Sequence, residues 1–126
     1  MQLREWTQHY IKFQDCMKKQ IRTLTETESG FIVEEKKGKK KYIVQEVLAL
    51  DPSMKDKTFV VTLNTKENIA HLKQHWDEVA SNQQLTIYFV NPNTNEKWHV
   101  QPYFHSKITE DIPKSLDVLF TSITEQ

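Results

Sequence analysis

The stretch Glu34-Glu35-Lys36-Lys37-Gly38-Lys39-Lys40-Lys41-Tyr42 decides how this chain is read. Five lysines crowd around one glycine, between two segments of strand-like composition. Gly38 is one of only two glycines in 126 residues, and glycine accepts the positive φ that a tight hairpin demands. A β-hairpin is therefore predicted, with strands over residues 31–35 and 41–50 and the lysines on its projecting tip. Neighbouring strands joined by short links run antiparallel, so the hairpin points to an α+β fold and away from a doubly wound sheet.

Upstream of the hairpin, Leu3, Trp6, Tyr10, Phe13, Met17, Ile21 and Leu24 recur at spacings of three and four. That rhythm predicts one long helix over residues 2–28, with Ser29-Gly30 as its stop. Downstream, Asp51-Pro52-Ser53 breaks the second strand, because proline cannot donate to a ladder and aspartate favours turns. Residues 58–63 read as a third strand, with Phe59, Val61 and Leu63 on one face. Asn64 followed by Glu67 has the form of a capping box, opening a helix whose inward stripe is Ile69, Leu72, Trp76 and Val79. The turn cluster Asn91-Pro92-Asn93-Thr94-Asn95 separates strands over residues 85–90 and 97–103. Asp111-Ile112-Pro113 opens a last helix, which turns Ile112, Leu116, Leu119, Phe120 and Ile123 inward. The expected fold is thus a single α+β domain spanning residues 1–126, ordered α-β-β-β-α-β-β-α. An antiparallel sheet of about five strands is packed by the long N-terminal helix and two further helices.

This element order is similar to that of small bacterial secretion chaperones, which are αβββαββα dimers that bind unfolded segments of client proteins. The likeness is one of topology, carries no motif residue, and implies a homodimeric binding protein. The chain departs from it in its longer first helix and in its neutral charge.

Composition narrows the class further. An aromatic share of 10 % supplies bulky core side chains and argues against disorder. Seventeen basic residues balance seventeen acidic ones, which disfavours a protein built mainly to coat DNA. The balance is uneven along the chain: residues 1–63 hold twelve Lys/Arg against nine Asp/Glu, and residues 64–126 hold five against eight. A positive end at the hairpin and a negative end elsewhere are expected. Cys16 is the lone cysteine, so no intrachain disulfide forms. No apolar run is long enough to span a membrane, and the N-terminus lacks the apolar core of a signal peptide. A cytoplasmic protein is expected, with no membrane partner.

Four groups of residues invite a function. Trp6, Tyr10 and Phe13 form a more aromatic stripe than one sheet requires, and suggest an interface with a protein partner or a second copy. Lys36, Lys37, Lys39, Lys40 and Lys41, with Tyr42 or Tyr103 as a stacking platform, suggest binding to nucleic acid or another polyanion. Alternation puts Tyr88 on the same sheet side as His99, Gln101 and Tyr103, a polar-aromatic face suited to a flat ligand. His71 and His75, four apart on a helix, could join His99 and His105 around a metal, although the spacing matches no zinc signature. The one histidine in sequence reach of Cys16 is His9, nearly two turns earlier, Glu34-Glu35-Lys36 has only Asp15 on the first helix as a poor preceding acidic ligand, and the two glycines stand alone. Catalysis is therefore disfavoured and no cofactor is expected. The expected function is a non-enzymatic binding or adaptor module, with a homodimer as one form. Nucleic-acid binding is the alternative, and a metal-dependent hydrolase built on the histidines is third.

Overall fold

The N-terminal aromatic stripe folds as helix α1 (Leu3–Lys18), which stops well short of residue 28. A computed structural model describes residues 1–51 and 54–126, so the predicted break at Asp51-Pro52-Ser53 lies outside them except for Asp51. Lys19 ends the helix in the left-handed conformation, with φ +49°, and its N–H reaches the Asp15 carbonyl. The Asp15 carboxylate then accepts from the backbone N–H groups of Gln20 and Ile21 at 2.7 and 3.0 Å, launching an extended segment. That segment is strand β1 (Ile21–Glu26), where a single long helix was expected. The misreading has a clear cause. A bulge between Ile21 and Thr23 shifts the register against the neighbouring strand, so Ile21 and Leu24 both face the same core. An inward spacing of three imitates a helix where an unbroken strand would show two.

The remaining elements are β2 (Gly30–Glu35), β3 (Gly38–Gln45), β4 (Thr58–Leu63), α2 (Lys66–Gln74), α3 (Trp76–Val79), β5 (Leu85–Asn91), β6 (Glu96–Val100), α4 (Pro102–Ile108) and α5 (Ile112–Phe120). The predicted hairpin forms between β2 and β3, closing at Glu35 and Gly38, and Gly38 takes φ +144°. The other glycine is needed for space: a Cβ on Gly30 would lie 1.9 Å from the Tyr42 carbonyl oxygen.

All six strands join one α+β sheet in chain order, β1 to β6. The sheet has six strands rather than about five, and it is mixed rather than antiparallel. The pairs β1/β2, β2/β3 and β5/β6 are antiparallel, but β3/β4 and β4/β5 are parallel. Twelve residues separate β3 from β4 in sequence, and α2 with α3 lies between β4 and β5. Connections of this length are what parallel pairing requires. The cap of α2 is Thr65, whose hydroxyl accepts from Asn68 N–H, and not Asn64. The cap of α5 is Asp111, as expected, accepting from Lys114 N–H. The sixth strand ends at Val100 because Pro102 occupies the first turn of α4, where its missing N–H costs nothing.

Each sheet face has its own core. One lies under α2, α3 and α5, with Leu50 and Met54 packed against it, and includes Leu48, Val60, Leu72, Ile87, Phe89, Trp98 and Leu116. Buried asparagines stitch its rim. Asn64 accepts from Trp98 Nε1 at 2.8 Å and donates to the Phe120 carbonyl at 3.2 Å. Asn68 accepts from Leu48 N–H and donates to Glu46 O, Leu63 O and the Thr62 hydroxyl. The opposite core lies under α1 and includes Trp6, Phe31, Tyr42, Val61 and Tyr88, with Tyr10 and Phe59 packed against it.

Candidate functional site

Residues three and four apart on a helix share a flank, and the two flanks of α1 have different surroundings. One is clamped to the β1–β2 hairpin. There Arg4 pairs with Glu26 at 2.9 Å, donates to the carbonyls of Thr27, Glu28 and Gly30, and lies 5.1 Å from the Phe31 ring centre. The other flank, carrying Trp6, Tyr10 and Phe13, overhangs β5 and β6. Between that flank and the β5–β6 hairpin runs a groove of about 530 Å³, lined by Met1, Trp6, His9, Tyr10, Phe13, Asn95 and Lys97.

Its wall is ordered by specific contacts. The Trp6 and Tyr10 rings stack at 5.1 Å with 12° between their planes. Trp6 Nε1 donates to Asn95 Oδ1 at 2.8 Å, which fixes the indole while its body stays 4 % exposed. Asn95 sits in the hairpin turn at φ +59°, a conformation that asparagine accepts better than most residues. The Lys97 ammonium lies 5.2 Å from the Tyr10 ring centre, within cation–π reach. Behind this wall, Tyr10 meets Tyr88 edge-on at 5.5 Å, and Tyr88 leans on His99 at 5.2 Å. Phe13 stands at the groove's margin, 77 % exposed.

Burial raises the Tyr88 hydroxyl well above the ordinary tyrosine value, and a hydrogen bond shared with Tyr10 adds to this. His99 is held below the usual histidine value by burial and then by the Lys97 charge. With Tyr88 and His99 held neutral behind it, the wall presents aromatic rings beside the Lys97 ammonium. Such a surface can bury an apolar side chain and attract a carboxylate beside it.

Two groups predicted separately from sequence are thus brought together. The flank of Trp6, Tyr10 and Phe13 reaches Tyr88 through Tyr10, and Tyr88 meets His99 on the same side of the sheet. Gln101 and Tyr103 do not join them: Gln101 precedes α4 and Tyr103 lies within it, under the Lys107 ammonium at 4.7 Å. The single strand face expected to hold all four ends where Pro102 starts the helix.

No protein-family model, curated protein or solved structure matches this chain. The site is read from its own geometry.

The lysine hairpin is present, but its charges are partly engaged. Lys40 pairs with Glu35 at 2.9 Å and Lys39 approaches Glu34 at 3.6 Å. Tyr42 is not available as a stacking platform. It is 4 % exposed, stacked on Phe59 at 4.8 Å, and burial raises its hydroxyl far above the ordinary value. Lys36, Lys37 and Lys41 are exposed.

The histidines are dispersed. The His71 ring on α2 and the His75 ring at its C-cap lie 4.4 Å apart, tilted by 39°, and His71 Nε2 accepts from Leu50 N–H at 3.3 Å. His105, on α4, is 2.9 Å from the Ser115 hydroxyl and edge-on to Trp76. His99 is on the other sheet face. Among the described residues, no group of three or more His, Cys, Asp or Glu side chains is arranged to hold a metal ion. Among the same residues, no helix is long and apolar enough to cross a membrane.

His9, Asn95 and Lys97 were not singled out from sequence as part of this site. Asn95 was legible as a turn residue, but only the return of the β5–β6 hairpin beneath α1 places it against Trp6. Nothing in local spacing marks Lys97 as the cation over Tyr10.

Proposed function

We propose that this protein is a binding or adaptor module whose α1–β6 groove takes a short segment of a partner protein. The segment offers an apolar or aromatic anchor beside a carboxylate. The observation that carries this reading is Phe13, a large ring 77 % exposed at the edge of an aromatic wall that is itself rigidly held. A solvent-facing phenylalanine on a helix contributes little to folding, whereas one beside ordered aromatic side chains supplies an anchor site for a partner. Lys97 sets the preference for an acidic neighbour through charge. No catalytic step is part of this reading. We place its action in the cytoplasm, where the lone exposed thiol of Cys16 stays reduced.

Selection from a displayed random peptide library against the native chain and against Phe13→Ser tests it. The expected result is a consensus pairing an apolar anchor with Asp or Glu, bound by the native chain and not by the variant. Failure to select any consensus, or one bound equally by both proteins, overturns the reading. Sedimentation of the chain alone asks whether a second copy fills the groove. A dimer that dissociates on Phe13→Ser would make this chain its own partner.

A further inference from the structure

A second concavity, of about 410 Å³, opens where α1 ends, the β2–β3 hairpin turns and β4 begins. Five lysines from these three segments line it: Lys18, Lys37, Lys39, Lys40 and Lys57. Glu35 is the one carboxylate among the lining residues, and Lys40 already pairs with it at 2.9 Å. The Lys40 and Lys57 ammonium groups also converge on the Phe59 ring, at 5.9 and 5.8 Å from its centre. Like charges held this close repel one another, and a bound anion relieves that repulsion. The ring beneath them is packed into the sheet by Tyr42 and Tyr88, so it does not offer a face to a base.

We infer that this concavity binds the phosphate backbone of double-stranded nucleic acid, without reading bases. Its lining contains no apolar side chain, so it lacks the anchor pocket that holds a peptide. It also exposes no aromatic ring, so it has no stacking platform to favour a single strand. What it offers is a cluster of ammonium groups from three chain segments, of which Lys39 and Lys40 are shared with Glu34 and Glu35, and such a cluster can neutralise phosphates. Sequence reasoning reached the hairpin lysines but not Lys18 or Lys57. Lys57 lies in the lead to a strand that pairs parallel with β3, and Lys18 lies where α1 stops early. This surface is separate from the aromatic groove.

The test is fluorescence anisotropy with labelled duplex DNA and duplex RNA over a range of salt. A patch neutralising about three phosphates loses about 40-fold in affinity over a fourfold rise in salt. Replacing Lys18, Lys37 and Lys57 together by glutamine removes exposed charge without touching the core. It is expected to abolish low-salt binding, while Lys66→Gln with Lys114→Gln, on α2 and α5, leaves it within about twofold, as expected for cations outside the patch. Phe13→Ser is also expected to leave it unchanged, which separates this surface from the groove. The inference is overturned by absence of binding at low salt, by equal loss in the Lys66/Lys114 control, or by tighter binding to single strands. It is equally overturned if polyglutamate competes as well as unlabelled duplex, which would make the partner an acidic protein.

Discussion

The two faces of the sheet solve the same packing problem differently. Under α2, α3 and α5, branched aliphatic side chains, Trp76 and the stacked Phe89–Trp98 pair form the core, and buried asparagines bind the rim to the backbone. Under α1, aliphatic side chains such as Leu3, Ile11, Val33, Val61 and Val90 share the space with more rings: Trp6, Tyr10, Phe31, Tyr42, Phe59 and Tyr88. One helix covers that face, clamped on its β1–β2 side and open over β5 and β6. Aromatic rings bury much area while keeping polar tips and flat faces, so such a core can end in a usable surface. The difference suggests that the first face holds the fold and the second also meets a partner.

The sharpest way to break this contrast is at Trp98. It stacks on Phe89 at 4.3 Å and donates to Asn64, so Trp98→Ala opens a cavity and orphans a buried carbonyl. A loss of about 3–5 kcal/mol in denaturant unfolding is expected. Next comes Asn68→Ala, which strands the Leu48 N–H and the acceptors around it. That should cost about 2–3 kcal/mol. A stability change near zero in either variant would show that the closed face is not what holds the molecule together.

The contrast also has a pH signature. Tyr42 and Tyr88, on the α1 face, have hydroxyls raised by burial. Their contribution is complete below the unfolded tyrosine value of about 10, and is lost as pH rises toward their folded values. His71 and His105, on the other side, are lowered, chiefly by burial, and His99 on the α1 side joins them in the acid range. Theirs is present above the unfolded histidine value of about 6.5, and is lost as pH falls through the folded values. Thermal melts across pH should therefore fall at both ends. Tyr42→Phe with Tyr88→Phe should flatten the alkaline limb alone, and His71→Gln with His105→Gln should lessen the acid limb alone, leaving the part that belongs to His99.

Much of the closed face was legible in sequence. The inward residues of α2, α3 and α5 follow the expected stripes, because the helical periodicity is unbroken there, whereas Phe59, Val61 and Leu63 of β4 share a face that turns to α1 instead. What was misread sits at interruptions. The bulge in β1 gave Ile21 and Leu24 a helical spacing, and Pro102 was counted into a strand that it in fact terminates. The parallel pairing of β3 with β4 depends on the path of residues 46–57, which has no periodic signal. The aromatic stripe of the candidate groove was visible from Trp6, Tyr10 and Phe13. Its other wall was not, since Asn95 and Lys97 meet α1 only through the order of strands across the sheet.

The smallest expected change in stability is also the most informative. Phe13→Ser removes an exposed ring, and its unfolding free energy should stay within about 0.5 kcal/mol of the native chain. Measuring that free energy together with affinity for a selected acidic-apolar peptide, on the same preparation, tests the central claim most directly. The account predicts lost affinity with retained stability. Lost stability with affinity unchanged would contradict it, and would make Phe13 part of the fold rather than part of the site.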